Sequence, residues 1–413
     1  MQGRFLYLWK CQLSIKTNER MKKLNLILLT FLIFGCSNQK KDVKLDLIKH
    51  VAQQTQYAIQ IAEPLRDSIL TSPRTIKNGT MKLVPSRDWT SGFFPGNLWM
   101  LYELTGDKKW EDLALEYTLP LKKEQWNKGT HDLGFMMFCS FGKAYKNTKN
   151  EEYKNILIQS AKSLASRFNP KVGCIRSWDH NSDKWDFPVI IDNMMNLELL
   201  IWAYNETGEN YLLDVAITHA QTTIKNHFRD DYSSYHVIDY SPETGEVQNK
   251  QTHQGYSDES AWARGQAWGL YGFTMMYRET GMEEFLIQAE KIAGFIISQP
   301  GIKEGKIPYW DFNAPNIPDE PYDASAAAII IAALYELSNS SENSETYIEV
   351  ADKLFATLSS VKFLAKVGEN EGFLLEHSTG HLPGNSEIDV PLVYADYYFL
   401  ESIIKNRKMN RTK

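Results

Sequence analysis

From Leu45 onward, apolar positions recur along most of this chain with the period of a helix, and the helical segments are of two kinds. Six are amphipathic, with a charged face opposite an apolar one: Leu45–Leu65, Lys108–Leu121, Glu151–Phe168, Asn210–Phe228, Glu283–Ser298 and Ser344–Val361. Six others alternate with them and are apolar or small nearly all round, the pattern of a helix buried on every side. Each of these follows an aspartate, at Asp88, Asp132, Asp192, Asp258, Asp323 and Asp389. Five of them close on a tyrosine (Tyr102, Tyr145, Tyr204, Tyr277 and Tyr335), with a Gly or Asn after it to take a left-handed C-cap. Successive tyrosines lie about 58 residues apart, room for two helices and two loops.

This alternation predicts an all-α fold, an (α/α)6 toroid or six-hairpin barrel, as one domain over residues 45–405. The inner helices of such a toroid run parallel, so their N-terminal ends and the six aspartates share one mouth. The long connections Asn169–Val189, Arg229–Ser257, Gln299–Tyr322 and Lys366–Ile388 lead to that mouth, where a site is usually built.

The first forty residues are of another kind. Met21-Lys22-Lys23 is basic, Leu24 to Phe34 is apolar but short for a membrane span, and Cys36 follows. We read residues 1–36 as a lipoprotein signal region with Met21 as the true start, Cys36 as the lipidated residue and 37–44 as a tether. An ordinary cleaved signal or an apolar anchor is the other reading. The expectation is an exported bacterial lipoprotein, periplasmic or associated with the outer membrane, touching the membrane through its lipid anchor only. Residues 406–413 read as a C-terminal tail.

A net charge of −6 over 413 residues, with no long basic run, argues against nucleic acid as a partner. No His/Cys cluster has metal-ligand spacing, so neither a metal nor another cofactor is expected. Cys139 and Cys174 lie among apolar residues and read as buried thiols. Nothing in the sequence chooses between monomer and dimer.

Asp is a favoured N-cap, which alone explains aspartates at helix starts. Asp132 and Asp192 differ in their company. Asp132 follows His131 and leads into Leu133-Gly134-Phe135-Met136-Met137, while Asp192 lies between Ile190-Ile191 and Met194-Met195. A carboxyl pressed against apolar groups near a second carboxylate has its pKa raised, and two across a pocket suit glycoside chemistry. A helix dipole acts in the opposite sense, so the net shift stays open. Farther on, Arg264, Trp268, Tyr271 and Met275 share one helical stripe. Gly265, Gly269 and Gly272 share another, where a neighbouring backbone can come close. Arg264 and Trp268 suit an anionic sugar, the guanidinium on its carboxylate and the indole on its ring. Pairing of Arg264 with one of the aspartates is the equal alternative. Trp89 reads as a stacking platform or as core, and His236 as a mouth-loop residue placed to bond a hydroxyl.

Four stretches together carry a resemblance: His131-Asp132-Leu-Gly-Phe, Ile191-Asp192-Asn-Met-Met-Asn, Ser260-Ala-Trp-Ala-Arg264-Gly-Gln-Ala-Trp268 and Tyr322-Asp323-Ala-Ser-Ala-Ala-Ala. They resemble the unsaturated glucuronyl hydrolases, glycoside hydrolase family 88, over essentially all of the mature chain. The resemblance implies an (α/α)6 barrel that removes the 4,5-unsaturated uronic acid left by polysaccharide lyases at the non-reducing end of oligosaccharides. It implies hydration of the enol ether, with a proton added at C4 and water at C5. It implies that Asp192 is the general acid and base and Asp132 the second catalytic aspartate. His236, Gln254 and Arg264 match substrate-contacting positions, and Trp89 and Trp268 the stacking aromatics. The Lys366–Ile388 segment, with His377 and His381, is expected as a lid. An unsaturated rhamnogalacturonyl hydrolase acting on pectin fragments and a non-catalytic glycan-binding lipoprotein are the competing readings.

Overall fold

A helix that is apolar on every side has to sit inside a second layer of helices, and the computed structural model, which describes residues 47–409, has that arrangement. The chain divides into residues 1–53 and 54–413. Of the first unit, residues 47–53 are described and are helical; the two layers of helices belong to the second. The lipoprotein signal, Cys36 and the 37–44 tether lie outside the described residues.

The outer layer of the second unit is α1 (residues 54–62), α3 (Lys108–Thr118), α5 (Glu151–Ala165), α7 (Asn210–His227), α9 (Glu283–Ser298) and α11 (Ser344–Leu358). The inner layer is α2 (Phe93–Thr105), α4 (Lys143–Thr148), α6 (Leu197–Thr207), α8 (Ala263–Thr280), α10 (Ala324–Leu337) and α12 (Val393–Met409), the last running into the stretch read as a tail. Two inner helices have altered openings. A π-helix, Gly134–Gly142, leads into α4, and a 3-10 turn, Ile191–Asn196, leads into α6. Each inner element packs on the next, and α12 packs back on α2, which closes the ring.

The tyrosine device recurs at four ends. The carbonyls of Tyr102, Tyr145, Tyr204 and Tyr277 accept the N–H of the residue four later, at 2.7–2.9 Å. That residue is left-handed each time: Gly106, Lys149, Gly208 and Gly281. In the second case Lys149 takes the position that Asn150 was expected to hold. The helix of Tyr335 ends right-handed at Ser338 and lacks the device.

Three small antiparallel sheets in the connections were not anticipated. β1 (Leu70–Lys77) and β2 (Thr80–Pro85) form a hairpin turned at Asn78-Gly79, both at positive φ. β3 (Phe168–Asn169) pairs with β4 (Cys174–Ile175). β5 (Pro188–Ile190), β6 (Val237–Tyr240) and β7 (Val247–Gln251) form the third sheet, which matters most for the site. Cys139 and Cys174 are buried and unbridged, as read from the sequence.

Candidate active site

Connections before five of the six inner helices converge on a cavity of about 420 Å³, whose wall includes both Asp132 and Asp192. The Gln299–Tyr322 loop, expected to contribute, supplies no lining residue among those described.

Strand pairing places Asp192. β5 ends at Ile190, opposite Val237 of β6, and the next N–H, of Ile191, donates to the His236 carbonyl at 3.1 Å. Two mouth loops are thereby tied so that Asp192 and His236 are neighbours. The 3-10 turn carrying Asp192 then lies on the glycine stripe of α8. A Cβ on Gly272 would stand 2.4 Å from the Cβ of Met194, so only hydrogen fits there. The Asp192 side chain caps nothing; its Oδ1 is buried without a hydrogen-bond partner. A buried acceptor left open is costly, and such groups mark functional sites.

Asp132 stands at the entry to the π-helix. Thr130 Oγ1 donates to its Oδ2 at 2.6 Å, and His131 Nε2 lies 3.1 Å from its Oδ1. The two aspartate-bearing segments meet at Gly134. The Phe135 N–H donates to Asn196 Oδ1 at 2.9 Å, and a Cβ on Gly134 would lie 2.5 Å from the Asn196 Cα. Because that neighbour is backbone, Gly134→Ala should force the two carboxyls apart. We expect a loss of about 1–3 kcal/mol in stability from overpacking, read by thermal unfolding. Turnover should fall on the order of a hundredfold, as reacting groups lose alignment.

The environments push the two carboxyls in opposite directions. Burial raises the Asp192 pKa to about 6; the Asp132 charge adds to the shift, and His131 and Arg264 oppose it only in part. Burial acts on Asp132 in the same sense, but His131, Thr130 and Arg167 outweigh it and hold that carboxyl below its usual range. One cavity thus holds a carboxyl that keeps its proton to higher pH and another that gives its proton up at lower pH, the equipment for proton transfer.

His236 is buried, and burial, helped by His253 and Arg264, keeps its pKa well below the ordinary value. Its Nδ1 accepts the backbone N–H of His253 at 3.0 Å and of Gln254 at 3.1 Å. The ring proton therefore sits on Nε2, which faces Asp192 Oδ1 at 3.8 Å. His236 is turned toward the acid from behind the cavity wall, whereas sequence reading had it meeting a hydroxyl. Gln254 does line the cavity, and its Nε2 donates to the Gly380 carbonyl at 3.1 Å.

Arg264 also lines the cavity, but its donors are largely committed. Nη1 donates to Asp323 Oδ2 at 2.5 Å and to the Thr379 carbonyl at 2.7 Å, and Nη2 to the Gly380 carbonyl at 2.5 Å. A guanidinium only 1% exposed needs a carboxylate beside it, and Asp323, the N-cap of α10, supplies one. Pairing with a helix-start aspartate is thus what Arg264 does; through Thr379 and Gly380 it also fixes the segment covering the site. Trp89 borders the cavity, and its ring contacts Phe135 at 5.6 Å and Tyr394 at 5.0 Å. Trp268 does not. It is fully buried, packed on Phe135 at 5.1 Å and Tyr398 at 5.4 Å, so its stacking role gives way to core filling.

Of the six helix-start aspartates, Asp132 and Asp192 line the cavity and the other four do not. Asp88 is held by Arg74, Asp258 is exposed and accepts the Thr252 N–H, and Asp389 pairs with His377. In the expected lid, Gly380, His381, Ser386 and Glu387 reach the cavity, while His377 does not. Sequence reading overlooked His131, Trp178, His253, Tyr394, Arg74 and Arg87 as lining residues. The signal for His131 was its place beside Asp132; Arg74 comes from β1 and Tyr394 from the first turn of α12, while Arg87, Trp178 and His253 come from connections whose course no periodicity reveals.

Comparison with known proteins agrees with this geometry. Residues 61–409 match the model of Glycosyl Hydrolase Family 88. The chain is 45% identical over 387 residues to the unsaturated glucuronyl hydrolase of Formosa agariphila, covering 92% of this chain and 96% of that one. It is 31% identical over 345 residues to the unsaturated chondroitin disaccharide hydrolase of Streptococcus agalactiae, covering 81% of this chain and 85% of the other. Among solved structures it superposes with a TM-score of 0.86 on an unsaturated glucuronyl hydrolase specific for heparin, at 49% identity, covering 90% of this chain and 98% of that one. With twelve α-helices in two layers among the described residues, a cavity that holds both Asp132 and Asp192, and a family match along almost the whole described length, the chain belongs to glycoside hydrolase family 88.

Proposed function

We propose that this protein removes the 4,5-unsaturated uronic acid from the non-reducing end of lyase-generated oligosaccharides, with Asp192 as general acid and then general base. The observation that carries the reading is the opposite shift of two carboxyls in one cavity, Asp192 upward and Asp132 downward. Protonated Asp192 gives its proton to C4, and positive charge develops at C5 and the ring oxygen. Ionised Asp132 is the nearby negative charge that favours that state. The Asp192 carboxylate then takes a proton from the water that adds to C5, which restores the acid. The hemiketal opens to a ketone at C5 and leaves a hemiacetal at C1. That hemiacetal collapses and releases the leaving sugar with the glycosidic oxygen. His236, with its neutral Nε2–H toward Asp192, is placed to steady the carboxylate when it carries charge.

For the parent polymer we favour heparin-type chains, supported by the 49% identity to the heparin-specific hydrolase. The test is a comparison of unsaturated heparin, chondroitin and ulvan disaccharides by loss of their far-ultraviolet absorbance. A higher kcat/KM on chondroitin or ulvan would overturn this choice. Export and lipid anchoring rest on the apolar Leu24–Phe34 stretch and on Cys36. Cells expressing the full chain and fed labelled palmitate should label the protein, and Cys36→Ser should abolish the label; label surviving in the variant would refute the anchor.

A further inference from the structure

Three arginines line the cavity, and they are not equivalent. Arg264 is buried and paired with Asp323. Arg74 is held on both sides, by Asp88 at 2.9 Å and by Glu387 at 2.6 Å. Arg87 is exposed and forms no ion pair among the described residues. The neighbouring carboxylates are already occupied. Asp88, next in the chain, accepts from Arg74 and from the Thr90 N–H and hydroxyl. Glu387 accepts two bonds from Arg74, and Asp132 is bonded to Thr130 and His131. The one cavity arginine with an uncompensated charge among the described residues therefore stands at the rim, two residues before the cavity-lining Trp89.

Depth decides what meets it. The enol ether has to reach Asp192, which is only 8% exposed, so the unsaturated ring occupies the floor. A rim cation then faces the sugar that leaves. Resting on the hydrolase reading above, we propose that Arg87 is a specificity-determining residue that recognises a sulfate ester on the leaving sugar. A guanidinium presents paired N–H donors that match a tetrahedral oxyanion, and an exposed one gives up little hydration to do so.

The test uses two unsaturated heparin disaccharides that differ only in 6-O-sulfate on the glucosamine. Turnover of each is followed for the unaltered protein, Arg87→Gln and Arg87→Lys. Dissociation constants are measured in parallel on Asp192→Asn and on Asp192→Asn/Arg87→Gln. Arg87→Gln should raise KM on the sulfated disaccharide with kcat nearly constant. The ratio of sulfated to unsulfated kcat/KM should fall about five- to tenfold, the size of one exposed charge-assisted contact. Arg87→Lys should keep part of the ratio. An equal loss on both disaccharides, or no change on either, would overturn the assignment. If the unaltered protein turned over neither, the hydrolase reading would fail, while the two binding ratios would still decide the role of Arg87.

Discussion

Asp192→Asn should leave a protein that binds unsaturated disaccharide but turns it over about a thousandfold or more slowly, near the upper end of what general acid–base catalysis contributes. Asn keeps the shape and can neither give nor take the proton. The same variant should change stability with a definite sign. The Asp192 pKa is raised from 3.8 to about 6 in the fold, so the folded state holds the proton more tightly than the unfolded chain. Stability therefore falls as pH rises from the unfolded value through the folded one, because a buried carboxyl is being forced to ionise. Asn cannot ionise. Above pH 6 Asp192→Asn should be more stable than the parent by on the order of 2 kcal/mol, and near pH 4 the gap should narrow. A more stable, inactive variant is the mark of a strained catalytic acid; a structural cap would give loss of both. The pH–rate profile follows from the same shift. kcat/KM should drop above about pH 6, where free Asp192 loses its proton.

Asp323→Ala should be the most damaging single change outside the reacting pair. Asp323 is fully buried, caps α10 through the Ser325 and Ala326 N–H groups, and neutralises Arg264. Removing it strands a buried guanidinium, at a cost of about 3–5 kcal/mol, with about 1 kcal/mol more for the lost cap. For a chain of this size that is a fall of roughly 5–8 °C in Tm. Activity should fall as well, since Arg264 also holds the Thr379 and Gly380 carbonyls over the site. The double change Asp323→Leu/Arg264→Met should recover part of the melting temperature, because no charge is then left unpaired. If Asp323→Ala melted within about 2 °C of the parent, the pairing would not carry the stability assigned to it.

Helix architecture was legible because buried and amphipathic periodicities differ, and the two kinds alternate six times. The glycine stripe of α8 was legible as a place of close approach, and the turn bearing Asp192 is what approaches. Asp132 and Asp192 were singled out by their apolar neighbours, and burial is indeed the leading cause raising the Asp192 pKa. Three things were hidden for physical reasons. Pro188–Ile190 is too short a strand to differ from an apolar loop, yet its pairing with β6 joins Asp192 to His236. Arg264 and Trp268 share a helical face, but periodicity does not say which part of that face meets the cavity and which the core. The Asn78-Gly79 hairpin signal was present and passed over among the helices. Aspartate positions were readable throughout; their separate duties as cap, counter-ion and acid depend on contacts distant in sequence.

The most direct test follows an unsaturated heparin disaccharide with the chain from Ser37 onward, recording far-ultraviolet absorbance and released glucosamine in the same reaction. If Asp192 hydrates the enol ether, absorbance disappears in step with glucosamine release, from the first time point, and Asp192→Asn shows neither. Glucosamine released ahead of the absorbance loss would mean attack at the anomeric carbon, and full activity in Asp192→Asn would remove the acid from the mechanism; either result contradicts this account.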